Sequence, residues 1–226
     1  MAKPKNLAKQ VVFFDFDNTI TAQDVLDDML VKFSKDDRWM DLEKKWKNKE
    51  IGSFECLKGQ VKGIRVNKVT LNEYLSKVKI DPYFKRLIKL LNSKGIRVII
   101  LSDNFDYILN CVLASNDIGG MKVFSNRLKI VDDRLIPSFP YANKRCGDCA
   151  HCKKTSLARN LNMGEESVYV GDGLSDACAS KEADTVFAKD YLKKYLEEND
   201  LAHIPFKGLK DVYEYFKNSK DKRSLS

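Results

Sequence analysis

Long apolar runs are missing from this 226-residue sequence. None approaches the roughly 20 residues that a helix needs to cross a bilayer, so a helical membrane protein is excluded and no membrane partner is expected. The first residues carry Lys3, Lys5 and Lys9 but no apolar core followed by a cleavage site. No secretory signal is read there, and a cytoplasmic location is expected. Internal repeats and low-complexity tracts are absent as well. So is any stripe of arginines interleaved with aromatics, which removes the usual footprint of a nucleic-acid binder despite a net charge of +8. The lysines are scattered through the chain and its last residues, Lys217 to Ser226, and read as a solvated basic surface that also attracts anionic substrates. No motif specifies an oligomeric state.

The length exceeds one minimal domain and falls short of two large ones, which suggests a core carrying a smaller inserted unit. Hydrophobic residues make up 43% of the chain, enough for a substantial core. The stretch Val11-Val12-Phe13-Phe14-Asp15-Phe16-Asp17-Asn18-Thr19-Ile20-Thr21 organises the rest: an apolar run of strand length ends in two carboxylates one residue apart. Strands buried on both faces of a parallel sheet read as such runs, and ligands gather beyond their carboxyl ends. Two carboxylates so close in sequence suit a division of labour, in which one attacks while the other handles protons.

After this turn the chain becomes helical. Val25, Met29, Leu30 and Phe33 recur at helical spacing, as do Trp39, Leu42 and Trp46, then Phe54, Leu57, Val61 and Ile64, then Leu71, Tyr74, Leu75 and Val78. Gly52-Ser53 and Asn67 to Thr70 read as breaks and caps, and the two tryptophans read as core. From Asp81-Pro82 helix and strand alternate. A helix through Phe84 and Leu91 ends near Gly95, Arg97 to Leu101 forms a strand, and Ser102-Asp103-Asn104 turns into a helix from Phe105 to Ala114 whose free N–H groups could receive an anion. A strand is expected at Met121 to Ser125, a hairpin around Asp132-Asp133, a helix at Thr155 to Leu161, and a strand at Ser167 to Val170 entering Gly171-Asp172-Gly173-Leu174-Ser175-Asp176. Short strands at Thr185 to Ala188 and His203 to Phe206 precede two further helices. The expected fold class is α/β with a Rossmann-like parallel sheet. Residues 1–20 plus 80–217 form the catalytic core, 21–79 an all-helical insertion, and 218–226 a disordered tail.

Three strand ends therefore carry polar clusters that converge in a parallel sheet: Asp15 with Asp17, Ser102, and Asp172 with Asp176. Phosphoryl transfer has matching needs, namely a divalent cation on oxygen ligands, donors for the phosphoryl oxygens and an in-line nucleophile. Asp15, Asp172 and the carbonyl of Asp17 suit Mg²⁺. Ser102, backbone N–H groups and a lysine cover the phosphate, and an aspartate serves as covalent carrier.

These motifs, in this order, resemble the haloacid dehalogenase superfamily. Asp15-x-Asp17-x-Thr19 looks like its first motif, Ser102 its second, Lys153 its third, and Gly171-Asp172-Gly173-x-x-Asp176 its fourth. The helical insertion is similar to the cap of the phosphoserine phosphatase branch. Cys152-Lys153, Gly-Asp-Gly-Leu-Ser-Asp, Val186 to Asp190 and His203 to Phe206 resemble the methionine-salvage phosphatases for 2-hydroxy-3-keto-5-methylthiopentenyl-1-phosphate and the phosphoethanolamine and phosphocholine phosphatases. The resemblance implies a haloacid dehalogenase fold and hydrolysis of a small phosphorylated metabolite. Asp15 would be nucleophile, Asp17 acid and base, Asp172 a Mg²⁺ ligand and Asp176 a support for waters or Lys153. Thr19 would brace the turn, and Thr19, Ser102, Asp103, Asn104 and Lys153 would line the phosphate site. Lys153 is preferred to Lys154 on the Cys-Lys resemblance alone. Asn104 stands where relatives often carry glycine.

Other readings stay open. Asp24 either meets a substrate amino group, as the resemblance implies, or caps the first inserted helix. Phe54 to Gln60 lacks the arginine with which phosphoserine phosphatases hold a carboxylate, although Lys58 is near, so phosphoserine is expected to be a poor substrate. A phosphoserine phosphatase is nevertheless the alternative enzyme, and a non-catalytic phosphate- or metal-binding module the alternative of another class. Cys146, Cys149 and Cys152 form a C-x-x-C-x-x-C run, which is either a structural Zn²⁺ site lacking an evident fourth ligand or a set of reduced loop thiols.

Overall fold

The apolar strand at the start of the chain is the middle strand of a seven-stranded sheet in the computed structural model, which describes residues 9–219. β1 (Gln10–Phe14) is followed by four helices, α1 (Val25–Phe33), α2 (Arg38–Lys47), α3 (Ser53–Gly63) and α4 (Lys68–Leu75). Next come α5 (Phe84–Ser93), β2 (Arg97–Phe105), α6 (Asp106–Ser115), β3 (Lys122–Val131), β4 (Arg134–Ser138) and α7 (Lys153–Arg159). The chain continues through β5 (Glu166–Gly171), α8 (Ala177–Ser180), β6 (Thr185–Ala188), α9 (Asp190–Glu198), β7 (Ile204–Pro205) and α10 (Leu209–Asn218). The sheet order is β4-β3-β2-β1-β5-β6-β7, parallel throughout except for β4 against β3.

Every residue of β1 is buried because helices cover both faces of the sheet. Val12 and Phe14 pack with Ile100, Val168 and Val170 toward α5 and α10, where Phe84 meets the Phe14 ring edge-on at 5.6 Å. Val11 and Phe13 point the other way and pack with Leu101, Tyr169, Leu157 and Ala179. This alternation gives a three-layer α/β/α core of the expected Rossmann-like class. The register pairs Phe14 with both Ile100 of β2 and Val170 of β5, so the residues that follow Phe14, Ile100 and Val170 emerge side by side.

The four helices expected after β1 are present and begin where short polar or flexible residues favour caps. Asp24 accepts the Asp27 N–H at 2.9 Å, Asn67 accepts that of Thr70 at 2.9 Å, and Gly52 precedes α3, where a Cβ would overlap the Asp148 backbone. The tryptophans depart from the expected core role. α2 buries none of its residues; Trp39 packs partly against the core, and Trp46 borders a cavity. β2 also runs on to Phe105 through a register shift after Leu101, so Ser102, Asp103 and Asn104 are strand rather than turn, and α6 starts at Asp106. A bulge of this kind lets polar residues continue a strand whose apolar pattern has ended. β3 is one strand instead of two pieces, and α7 begins two residues earlier than its periodicity suggests. Asn218 belongs to α10 rather than to a tail; residues 1–8 and 220–226 lie outside the described residues. No helix among the described residues is long and apolar enough to cross a membrane.

Candidate active site

At the end of β1 the ladder continues for one residue, Asp15 N–H donating to the Val170 carbonyl at 2.9 Å, and then the chain turns. Asn18 adopts a left-handed φ of 53°, a conformation asparagine tolerates, and the N–H groups of Ile20 and Thr21 fold back onto the Phe16 carbonyl. The turn sends the two carboxylates to different partners. Asp15 accepts the Lys153 ammonium at 2.6 Å, whereas Asp17 accepts the Val25 N–H at 2.9 Å and the Asn104 side-chain amide at 3.1 Å.

Lys153 is buried and also donates to Asp176 Oδ1 at 2.7 Å and the Ser175 hydroxyl at 3.0 Å. Burial alone would lower its pKa, but Asp15 and Asp176 outweigh this and hold it charged. Lys154 points elsewhere, pairing at the surface with Glu182. Asp176 has no idle oxygen: Oδ1 takes Lys153 and the Tyr169 hydroxyl, and Oδ2 takes the N–H groups of Asp172 and Gly173. Gly171 is required for this arrangement, because a Cβ there would overlap the Asp176 carboxylate. Thr19 turns its hydroxyl to Asp172 Oδ1 at 2.8 Å, bracing that carboxylate instead of facing the cavity.

Asp15, Asp172 and Asp176 bring carboxylate oxygens within 4.8 Å of one another. One buried lysine does not neutralise three buried carboxylates. Burial, reinforced by Asp176, pushes the Asp15 carboxyl well above its usual range and that of Asp172 up to about 7. A hard divalent cation on oxygen ligands relieves this imbalance. Since Asp176 is saturated by four donors, Asp15 and Asp172 are the side chains that fit one.

Ser102 is fully buried, its Oγ accepting the Asn104 N–H at 3.0 Å. Its carbonyl accepts from Nδ1 of His151 at 2.8 Å, and Nε2 of the same ring meets the Ser156 hydroxyl at 2.7 Å. Both ring nitrogens are thus used, and burial lowers the His151 pKa to about 4. Asp103 keeps one buried carboxylate oxygen without a partner, and burial raises its pKa to about 6. Above these groups lies a cavity of about 390 Å³ whose far wall is formed by Asp24, Asp27, Glu43, Trp46 and Gln60. Asp24 caps α1 and also borders this cavity; Lys58 does not border it, its ammonium lying 5.4 Å from the Phe54 ring.

Sequence reasoning missed Tyr169, Ser175 and the wall residues Asp27 and Glu43. Tyr169 sits in an apolar run and reads as core until its hydroxyl is followed to Asp176. Ser175 was within reach, since it lies in the Gly171 to Asp176 motif. Of the two readings of Cys146, Cys149 and Cys152, the zinc site finds no support: among the described residues only Asp15, Asp172 and Asp176 form a group of three such ligands, and the Cys149 thiol turns onto the Cys146 carbonyl.

A sequence model of the family described as Putative Phosphatase matches residues 10–203. The chain belongs to this family. A 2-hydroxy-3-keto-5-methylthiopentenyl-1-phosphate phosphatase from Brevibacillus brevis is 26% identical over 208 residues, covering 90% of this chain and 93% of that one. Its counterpart from Geobacillus thermodenitrificans is 28% identical over 219 residues, covering 92% and 96%. Among solved structures, a phosphoserine phosphatase from T. onnurineus superposes with a TM-score of 0.71 at 21% identity, covering 97% of this chain and all of that one. A phospho-aspartyl intermediate analogue of phosphoserine phosphatase gives 0.69 at 19% identity, covering 92% and 98%. The chain is a phosphatase by its family, with the fold of the phosphoserine phosphatases.

Proposed function

We propose that this phosphatase is a Mg²⁺-dependent hydrolase of small phosphomonoesters that works through an aspartyl-phosphate at Asp15. The observation that carries the proposal is the separation of Asp15 and Asp17 onto different partners. Asp15, beside Lys153, attacks phosphorus; an O–P bond forms and the ester P–O bond breaks. Asp17, fixed by Val25 and Asn104, hands a proton to the leaving oxygen and later takes one from the hydrolytic water. Burial, followed by the nearby charge of Asp24, raises the Asp17 carboxyl well above its usual range, which suits an acid. Lys153 and the Ser102 hydroxyl hold the transferring phosphoryl oxygens, and Asn104 serves Asp17 rather than phosphate. Asp15, Asp172 and the Asp17 carbonyl would hold Mg²⁺, which when bound supplies charge neutralisation for the phosphoryl group.

Residues 21–79 act in this proposal as the cap that selects substrate. The wall of Asp24, Asp27 and Glu43 disfavours a carboxylate, and no arginine among the described residues borders the cavity. Its one wall cation, Lys47, is paired with Glu43 at 3.0 Å. The substrate is therefore a small phosphomonoester with an uncharged or cationic end. The compound in the names of the Brevibacillus brevis and Geobacillus thermodenitrificans relatives, which carries no carboxylate, fits the first description. A cytoplasmic, reducing setting belongs to the same proposal and is supported by six free cysteines.

Hydrolysis of p-nitrophenyl phosphate tests the core assignment. Asp15→Asn should lower turnover by roughly 10³-fold or more, Asp17→Asn should lose most turnover while still binding phosphate, and Ca²⁺ should inhibit. Wild-type turnover in Asp15→Asn would remove the nucleophile. A screen over phosphoserine, phosphoethanolamine, phosphocholine, sugar phosphates and the methionine-salvage intermediate tests the cap. A lead of about tenfold for phosphoserine in kcat/KM would replace this reading by a phosphoserine phosphatase.

A further inference from the structure

His151 lies buried in the seam between β2 and α7, outside the set of groups that touch substrate in the proposed reaction. Its ring crosses that seam. Nδ1 is 2.8 Å from the Ser102 carbonyl, which only accepts, so Nδ1 carries the proton and donates; Nε2 then accepts from the Ser156 hydroxyl at 2.7 Å. Burial lowers the ring's pKa to about 4, and this neutral tautomer persists at neutral pH. Tyr141 leans on the ring face, with centroids 5.0 Å apart and planes inclined by 30°, and the Tyr141 carbonyl accepts the Cys152 N–H at 3.0 Å. The imidazole therefore has one position and one protonation state.

The two ends of this link carry the groups assigned to the phosphoryl oxygens. Ser102 offers its own hydroxyl, and Ser156 stands one turn along α7 from Lys153, which offers its ammonium. Apolar packing does not fix their separation. Leu157 of α7 shares a cluster with Val11, Phe13 and Leu101, but burial is non-directional and by itself sets neither an angle nor a distance. Directional bonds tie α7 to β2 at both ends: Arg97 donates to the Asn160 carbonyl at 2.7 Å just past the last turn, and His151 joins the first turn to Ser102. The His151 link is the one beside the reacting groups.

We propose that His151 is a positioning residue, whose two hydrogen bonds set the distance between the Ser102 hydroxyl and the Lys153 ammonium and so their grip on the phosphoryl group in the transition state. The inference rests on the proposed function and adds to it the group that aligns its two phosphoryl donors. Donors aimed in advance at developing charge need no reorganisation as the reaction proceeds, and a misplacement of about 1 Å costs on the order of 100-fold in rate. Binding of the ground state is less exacting. Attraction between a lysine and an anion falls slowly with distance, whereas a hydrogen bond weakens steeply once its angle is lost. Loss of His151 therefore acts on kcat more than on KM.

The test compares His151→Phe, His151→Asn and Ser156→Ala in the full chain, with p-nitrophenyl phosphate and Mg²⁺. Phenylalanine fills the space of the ring and keeps the Tyr141 contact but makes neither bond; asparagine places an amide nitrogen where Nδ1 stood and keeps the bond to Ser102. His151→Phe should lower kcat roughly 100-fold, with KM and the inhibition constant of inorganic phosphate within about threefold of wild type. Orthovanadate, which mimics the five-coordinate phosphorus, should lose affinity in step with kcat. His151→Asn should stay within about tenfold of wild type in kcat, and Ser156→Ala should cost about threefold or more alone but less than about twofold when added to His151→Phe. A folded His151→Phe with kcat within about twofold of wild type, or phosphate and vanadate affinities that fall together, would overturn the proposal. Where His151→Phe does not fold, Ser156→Ala decides, and an unchanged kcat there overturns it. A wild-type chain inert toward every phosphomonoester removes the proposed function and this inference with it, whereas an active wild type with an unimpaired His151→Phe removes the inference alone.

Discussion

The floor and the far wall of the catalytic cavity are both acidic, yet they are held in different ways. On the floor, Asp15, Asp172 and Asp176 are 7%, 8% and 0% exposed, and their oxygens meet Lys153, Thr19, Tyr169 and backbone N–H groups. On the wall, Asp24 and Asp27 sit at the start of α1, and Glu43 lies on α2, a helix with no buried residue. Glu43 is steadied by Gln60 and Lys47, each at 3.0 Å. The floor is thus tied to the register of the central strands, and a change there disturbs fold and chemistry together. The wall depends on helices at the edge of the core, where charge can change with little cost to the fold.

Removing the one cation of the floor should have the largest effect. Lys153→Met leaves Asp15 and Asp176 buried without a counter-charge, which should cost about 3–5 kcal/mol of stability and roughly 10³-fold in turnover. Lys154→Met, one residue along and exposed, should stay within about 0.5 kcal/mol of wild type with turnover intact. Urea unfolding and steady-state kinetics of the pair check this, and equal effects would break the distinction between floor and surface.

Mg²⁺ should act on the floor and not on the wall, with a dependence on pH. The Asp172 pKa rises from 3.8 to about 7 on folding without metal. The folded chain therefore holds its proton longer than the unfolded one, and this group's contribution to stability is lost as pH climbs from about 4 to about 7. Mg²⁺ requires the ionised form, so its stabilisation should be larger near pH 8 than near pH 5, approaching about 2.7 kcal/mol at a hundredfold excess over Kd. Thermal melts with and without Mg²⁺ at the two pH values measure this. Equal shifts would mean that the metal does not sit on Asp172.

Gly171→Ala sharpens the comparison from inside the floor. Its Cβ would meet the Asp176 carboxylate and the Tyr169 ring, so a loss of about 1–3 kcal/mol is expected, with turnover reduced roughly 10- to 100-fold as Lys153 loses its support. Asp27→Asn, on the wall, should have the smallest effect. Turnover of p-nitrophenyl phosphate should stay unchanged, while kcat/KM for phosphoethanolamine falls by up to about tenfold. A stability loss as large as that of Gly171→Ala would remove the contrast.

Much of this was legible along the chain, because local patterns carry it. The apolar run ending at Asp15, four helical stripes after it, and polar ends on the strands at Ser102 and Asp172 each follow from burial and backbone periodicity within a few residues. Trp46 misled for the same reason: its spacing is helical, but spacing does not reveal that α2 finds no layer to bury it. β2 ran past its apolar residues because a bulge, supported by the neighbouring β3, keeps Ser102 to Asn104 extended. Nothing in the local pattern marks His151 as the group that joins Ser102 to Ser156, or Asn104 as the amide that steadies Asp17.

What the sequence by itself determined is the reaction class, since the order of Asp15, Asp17, Ser102, Lys153, Asp172 and Asp176 along strand ends already offers candidates for a nucleophile, a proton carrier, metal ligands and phosphate contacts. What only the tertiary structure decided is which groups touch. Lys153 reaches Asp15 across 138 residues, Thr19 reaches Asp172 across 153, and the acidic wall shares one cavity with the floor. The first two encounters depend on the register of parallel strands and on how α7 meets the sheet, the third on how α1 and α2 pack over them. A register is a cooperative property of the packed core, and no window of the chain contains it.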